Sequence, residues 1–302
     1  MFVPPKGRNR VGLSEDAALL VLLREPGARW AAVADQVEER SSALAVLRDR
    51  QDRQERLFEE PADDERILDA EKEIARWREE GIHFASLIDE GYPPQLLTIH
   101  QRPPFVTWSG TPSPSDAQGI AIVGTRAASR SGIERARTLA AELAGRGRAV
   151  ISGLAAGIDT AAHLGALEAG GRTVAVIGTG LRRSYPQQNA ALQRRIAREG
   201  LVLSQFLPDA PPTKTSFPMR NAVMSGYAAA TVVIEAAWKS GARMQARLAL
   251  EHGRPVFLMA SLLEHDWARD YAERPGATVV DSVDEVIDEL DKSANRDELI
   301  WA

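Results

Sequence analysis

Gly124-Thr125-Arg126, followed at once by Ser129, Arg130 and Ser131, brings together residue types suited to holding a phosphate. Glycine lets a ligand approach the backbone, hydroxyl and N–H groups donate, and the arginine fork matches phosphate oxygens. Similar combinations recur. Ser152-Gly153 precedes Gly157, Asp159 and His163 in ISGLAAGIDTAAH; Gly178-Thr179-Gly180 precedes LRRSYPQQN with Tyr185, Pro186 and Asn189; Ser240-Gly241 precedes Arg243. Residues 208–221, PDAPPTKTSFPMRN, add Lys214 and Arg220 as cations, Asn221 as a hydrogen-bonding amide, and Phe217 as a ring on which a base could stack. Phe217 reads equally well as a core residue anchoring its loop.

The same segments are poor in catalytic partners. Asp159 fits a helix N-cap, and His163 falls four residues later on the same helical face. No serine, cysteine or metal completes a triad with them, so Gly157, Asp159 and His163 read as a structural turn and no catalytic residue is assigned. The chain has no cysteine, which excludes disulfides, thiolate zinc sites and cysteine nucleophiles. Its five histidines form no HxxxH or HxH pair, so no metal site is expected. The third glycine of a GxGxxG fingerprint beginning at Gly178 would fall on Arg183, so a dinucleotide cofactor is not indicated, and no other cofactor is.

These segments follow short β-branched runs. IAIVG, RAVISG, TVAVIGTG, LVLSQF, TVVIEA, PVFLMA and ATVV alternate with amphipathic helices across residues 119–292. That alternation predicts an α/β, doubly wound, mostly parallel Rossmann-like sheet, whose ligands bind beyond the carboxyl ends of the strands. Residues 1–60 read as a small N-terminal helical module broken at Pro26-Gly27, and 61–118 as a charged helix and proline-rich connector. TPSPSDAQ (111–118) then serves as linker, and 293–302 as a tail. No apolar run is long enough to cross a membrane and the N-terminus lacks a secretory core, so a cytoplasmic location and no membrane partner are expected.

The net charge of −5 conceals a strong asymmetry. Residues 119–254 hold 18 Lys/Arg against 8 Asp/Glu, whereas both flanks are acidic. A basic segment with several glycine turns suits an extended polyanion; the alternative is a solvated face of arginine-rich helices.

The motifs AIVGTR, ISGLAAGIDTAAHLGAL, AVIGTGLRRSYPQQN, SQFLPDAPPTKTSFPMRN and TVVIEAAWKSGARMQARLALEHGRPVF, in this order, resemble the DNA-processing protein A (DprA/Smf) family over about residues 85–290. The resemblance implies a dimeric single-stranded-DNA-binding protein without catalysis, which protects incoming DNA and helps load a RecA-type recombinase during natural transformation. It also implies that Arg126, Lys214, Phe217 and Arg220 contribute to DNA binding. Two departures stand out: Ala260-Ser261 replaces the family's PGS turn, and no winged-helix module is expected after residue 292. Two competing readings stay open. One is a nucleotide sensor or nucleotide phosphoribohydrolase using Glu235, although TVVIEAAWKSG lacks the PGGxGTxxE pattern of such hydrolases. The other is a protein-interaction scaffold built on the acidic flanks.

Overall fold

The structure is a computed structural model and describes residues 14–54 and 63–300; residues 1–13, 55–62 and 301–302 of the expected module, connector and tail lie outside the described residues. The chain begins with α1 (Glu15–Arg24), α2 (Trp30–Arg40), α3 (Ala43–Gln54) and α4 (Asp63–Glu79). EDAALLVLLR is apolar on nearly every side because α1 is enclosed: Ala17 through Leu23 are all buried. Two of its acids fix it in place. Glu15 caps α3, accepting from Ser42 Oγ at 2.8 Å and Ala43 N at 2.6 Å, the favourable position for a carboxylate. Asp16 accepts from Ser86 N at 2.9 Å, and its burial raises its pKa. The second expected helix divides at Ser41, whose left-handed φ of 50° ends α2.

The strands are β1 (His83–Ser86), β2 (Phe105–Gly110), β3 (Ile120–Val123), β4 (Val150–Ser152), β5 (Thr173–Ile177), β6 (Leu201–Ser204), β7 (Ala230–Val233), β8 (Val256–Met259) and β9 (Ala277–Val280). They form one sheet in the order β1-β2-β6-β5-β4-β3-β7-β8-β9. From β6 to β9 every pairing is parallel, as the alternation with helices requires. The crossovers are α5 (Arg130–Gly145), α6 (Ile158–Glu168), α7 (Ala190–Glu199), α8 (Ser216–Tyr227), α9 (Gly241–Glu251) and α10 (Asp266–Ala272), and the described chain closes with α11 (Val283–Ile300). The chain winds outward from β3 through β4, β5 and β6, then returns to β7 on the other side of β3. The winding therefore reverses between β3 and β7, where such sheets open a crevice for ligands.

Residues 61–118 do more than connect. β1 and β2 extend the sheet antiparallel beyond β6, with Thr107 opposite Ser204 and Gly110 opposite Leu201. TPSPSDAQ contains a short 3₁₀ turn over Pro114–Gln118, capped reciprocally by Ser113 and Asp116. Asp116 is buried; it pairs with Arg172, whose Nη2 lies 2.7 Å from Oδ2, and accepts from Tyr227 Oη at 3.1 Å. The segment read as a linker is therefore a packed brace. Likewise α11 runs through residues 293–300, read as a tail. One continuous apolar cluster joins Leu19 and Leu47 of the helical module to Phe105, Ile122 and Phe257 of the sheet.

Candidate nucleic-acid interface

Gly124, Ser152, Gly153, Gly178 and Gly180 at the strand ends serve internal packing, which corrects their reading as ligand-approach sites. A Cβ on Gly124 would lie 2.3 Å from Ile158 Cγ1, so this glycine lets α6 pack onto β3. A Cβ on Gly180 would meet the Leu207 and Pro208 carbonyl oxygens at 2.1 and 2.3 Å. Ser152 is buried and donates to Ile122 O at 2.7 Å. The other two packing glycines seat candidate residues. A Cβ on Gly153 would fall 1.4 Å from Arg220 Nη1, and one on Gly178 would fall 2.9 Å from the Phe217 ring. Gly157, at φ 78°, approaches the Thr125 carbonyl oxygen so closely that a Cβ would sit 2.4 Å from it.

Arg220 and Phe217 stand three residues apart on α8 and so share a face. That face turns Arg220 inward to 5 % exposure, where Nη1 donates to Val176 O at 3.0 Å. This corrects its reading as a solvent-facing phosphate contact. Burial lowers its pKa, with the nearby Asp159 opposing that effect and Arg126 adding to it. Asp159 is also buried, and desolvation raises its pKa against the pull of Arg220. It accepts from Ala155 N at 3.3 Å and so holds the ISGLAAG turn from within. His163 has no exposure; its Nδ1 lies 2.7 Å from Thr173 Oγ1, which itself donates to Val150 O, so Nδ1 carries the proton. Burial drives the His163 pKa down to about 3, keeping the ring neutral.

The amino end of α5 is occupied by the protein itself. Ser129 N donates to Glu235 Oε1 at 3.1 Å, and Ser129 Oγ donates to Glu235 Oε2 at 2.7 Å while accepting from Gly132 N at 3.0 Å. Gly132 makes room for the carboxylate, since a Cβ there would lie 2.0 Å from Glu235 Oε2. Glu235 thus takes the anion position that helix N-termini favour, and Ser129 is not open to a phosphate. Ser240 caps α9 through Ala242 N at 3.2 Å, Gly241 O accepts from Asn221 Nδ2 at 3.4 Å, and Arg243 Nη1 donates to Trp238 O at 3.1 Å. Asn221 therefore joins α8 to α9. Ser261, in the altered turn after β8, accepts from Arg135 Nη1 at 2.7 Å.

Beyond these internal contacts lies an exposed rim. The Arg126 guanidinium stands 5.2 Å from the Phe217 ring centroid, and the Tyr185 ring meets Phe217 at 5.3 Å with a 45° tilt. Phe217 is half-buried, Tyr185 is 44 % exposed, and Arg126, Arg130 and Lys214 are exposed. The sequence signal for Tyr185 is an aromatic in the polar run LRRSYPQQN. Part of the basic segment is neutralised: Arg146 pairs with Asp284, Arg172 with Asp116, Arg182 with Glu80 and Asp209, and Arg137 with Glu168. Among the described residues Arg126, Arg130 and Lys214 enter no ion pair, so positive charge persists at the rim. No group of three or more His, Asp or Glu among the described residues could hold a metal ion, and no described helix is long and apolar enough to cross a membrane.

By fold and site this is a Rossmann-like protein whose cations and aromatic rings meet at the carboxyl edge of a doubly wound sheet. The model of the family described as DNA recombination-mediator protein A matches residues 83–291, and the chain belongs to that family. It is 40% identical over 172 residues to the DNA processing protein DprA of Streptococcus pneumoniae, a match covering 57% of this chain and 61% of that protein. It is 33% identical over 220 residues to DprA of Bacillus subtilis, covering 72% of this chain and 74% of that one. The X-ray structure of the S. pneumoniae protein superposes with a TM-score of 0.64 at 30% identity, over 92% of this chain and 94% of that one. DNA processing protein A from Helicobacter pylori, whose structure concerns its single-stranded DNA binding mode, superposes with a TM-score of 0.61 at 29% identity, over 70% of this chain and 96% of that one.

Proposed function

We propose that the carboxyl rim of the sheet binds single-stranded DNA, with Phe217 and Tyr185 stacking bases and Arg126, Lys214 and Arg130 meeting phosphates. The observation that carries this reading is the half-buried Phe217 ring, seated on Gly178 and flanked by the exposed Arg126 guanidinium. Stacking on an aromatic tolerates any base, and unpaired cations beside it follow the backbone. The H. pylori relative, characterised for its single-stranded DNA binding mode, supports the same ligand class here. Arg220 acts from beneath, as a buried positive charge that holds the α8 face to β5 through Val176 O.

The role is binding without catalysis or cofactor. Glu235, the one acid placed for a nucleotide hydrolase, is committed to Ser129 and the α5 terminus. Family membership supports a recombination mediator that protects single strands and delivers them to a RecA-type recombinase in the cytoplasm, working as a homodimer. Fluorescence anisotropy of labelled oligo-dT across a salt series tests the binding claim. Contact with about four phosphates gives a slope near −2.8 in log affinity against log salt, at about −0.7 per phosphate for single strands. Arg126→Ala should make that slope shallower by about 0.7. A wild-type affinity that is flat with salt, or no binding at low salt, overturns the reading.

A further inference from the structure

The aromatic residues of the rim do not end at Phe217 and Tyr185. Trp238, in the loop that follows β7, is 57 % exposed, which makes it the most exposed large apolar side chain among the described residues. Although open to solvent, the residue is held in place. The Arg243 guanidinium lies 3.7 Å from the indole centroid, and its Nη1 donates to Trp238 O at 3.1 Å, so ring and backbone are fixed by one side chain. Ser240 N closes the turn onto Ala237 O at 2.9 Å, and the buried Trp267 ring anchors the loop's start by donating Nε1 to Ala236 O at 3.1 Å. Arg243 occupies one side of the indole, and solvent reaches the remainder. The exposed Lys239 follows directly in sequence.

Its position matters as much as its exposure. β7 is the strand on the far side of β3, and Thr125 N donates to Glu235 O at 2.7 Å, so the Trp238 loop leaves the sheet beside the Gly124-Thr125-Arg126 turn. This is the crevice where the winding reverses. Phe217 sits at the end of β5, with β4 and β3 between it and β7. Three strand spacings of about 4.8 Å separate the strand ends beneath the two aromatic residues by about 14 Å. At about 3.4 Å per nucleotide that separation corresponds to about four stacked nucleotides, with Arg126, in the turn after β3, between them.

We propose that Trp238, pre-set by Arg243, is a second base-stacking platform that extends the single-strand track across the switch-point crevice. The inference rests on the reading of the Phe217 rim as a DNA surface and adds a residue and a length to it. The full chain and its Trp238→Ala, Trp238→Phe and Phe217→Ala variants are titrated against labelled oligo-dT of about 4 and about 12 nucleotides, lengths that bracket short binding sites. Trp238→Ala should lose about tenfold or more on the longer oligonucleotide and little on the shorter one, whereas Trp238→Phe stays near wild type. Native mass measurement of Trp238→Ala should match wild type. Unchanged affinity of Trp238→Ala for the longer strand, with Phe217→Ala still impaired, overturns the second platform and leaves the first intact. A changed mass in Trp238→Ala would make the indole a subunit contact and overturn the proposal as well. Wild type and Phe217→Ala behaving alike on both lengths would overturn the rim reading itself.

Discussion

Arg220 shows how far a residue's chemistry depends on the side of the helix it occupies. In sequence it stands beside Phe217 and Lys214 as one more cation for phosphate; in the fold it lies under the rim, filling the space that Gly153 leaves. Gly153→Ala therefore forces overpacking against a buried guanidinium, and urea titration should report a loss of about 1–3 kcal/mol. His163 makes a pH-dependent prediction. Its folded pKa lies near 3, below the ordinary 6.5, so its contribution to stability is complete above pH 6.5 and declines as pH falls toward the folded value. By pH 5 the unfolded histidine is mostly protonated and the buried one is not, which costs about 2 kcal/mol. Asp159 acts in the opposite sense, since its raised pKa lets the folded state gain a proton as pH falls. Comparing urea stabilities at pH 7 and pH 5 isolates the histidine term: the pH-dependent loss should shrink in His163→Gln. An equal loss in both proteins would contradict the buried neutral ring.

At the scale of elements, the parallel half of the sheet was legible because β-branched runs alternating with helices have few other solutions. The antiparallel extension was not. β2 finds β6 across about a hundred residues of chain, and nothing local in FVTWSG specifies that partner. The linker reading of TPSPSDAQ failed for a related reason: prolines and serines mark a turn, but the partners of Asp116, Arg172 and Tyr227, come from distant segments. Removing that carboxylate leaves Arg172 and Tyr227 without it, and Asp116→Ala should cost about 3 kcal/mol by urea or thermal unfolding. The helix ends repeat the lesson. A serine before a helix looks like an anion site, yet at α5 the anion is Glu235. Glu235→Ala should lower stability by about 1 kcal/mol, the ordinary scale of a helix-terminus carboxylate. The same variant should leave oligo-dT affinity intact; a large loss of DNA binding would place Glu235 at the ligand instead.

Across the whole molecule, charge is sorted rather than averaged. The acidic flanks reach back to the basic middle through Glu80, Asp116 and Asp284, which pair with Arg182, Arg172 and Arg146. The exposed pairs Arg182–Glu80 and Arg146–Asp284 contribute about 0–1 kcal/mol each, so their main effect is on where positive charge remains. Part of it remains at the rim beside the aromatic rings, where Arg126, Arg130 and Lys214 are exposed. The net charge of −5 therefore does not oppose polyanion binding, and residues 119–254 carried that signal in their own composition. What the composition could not reveal was which cations stay unpaired, because pairing is settled by the fold.

If single strands bind at the Phe217 face, removing the Phe217 ring removes one stacked base. Oligo-dT affinity at fixed low salt is measured for wild type and Phe217→Ala, with thermal unfolding of both as the control. Loss of one stacked base costs about 1–3 kcal/mol, so affinity should fall by about fivefold to a hundredfold or more while the folded protein persists. Equal affinity in the two proteins, both folded, would mean that Phe217 only anchors its loop and that the strand lies elsewhere.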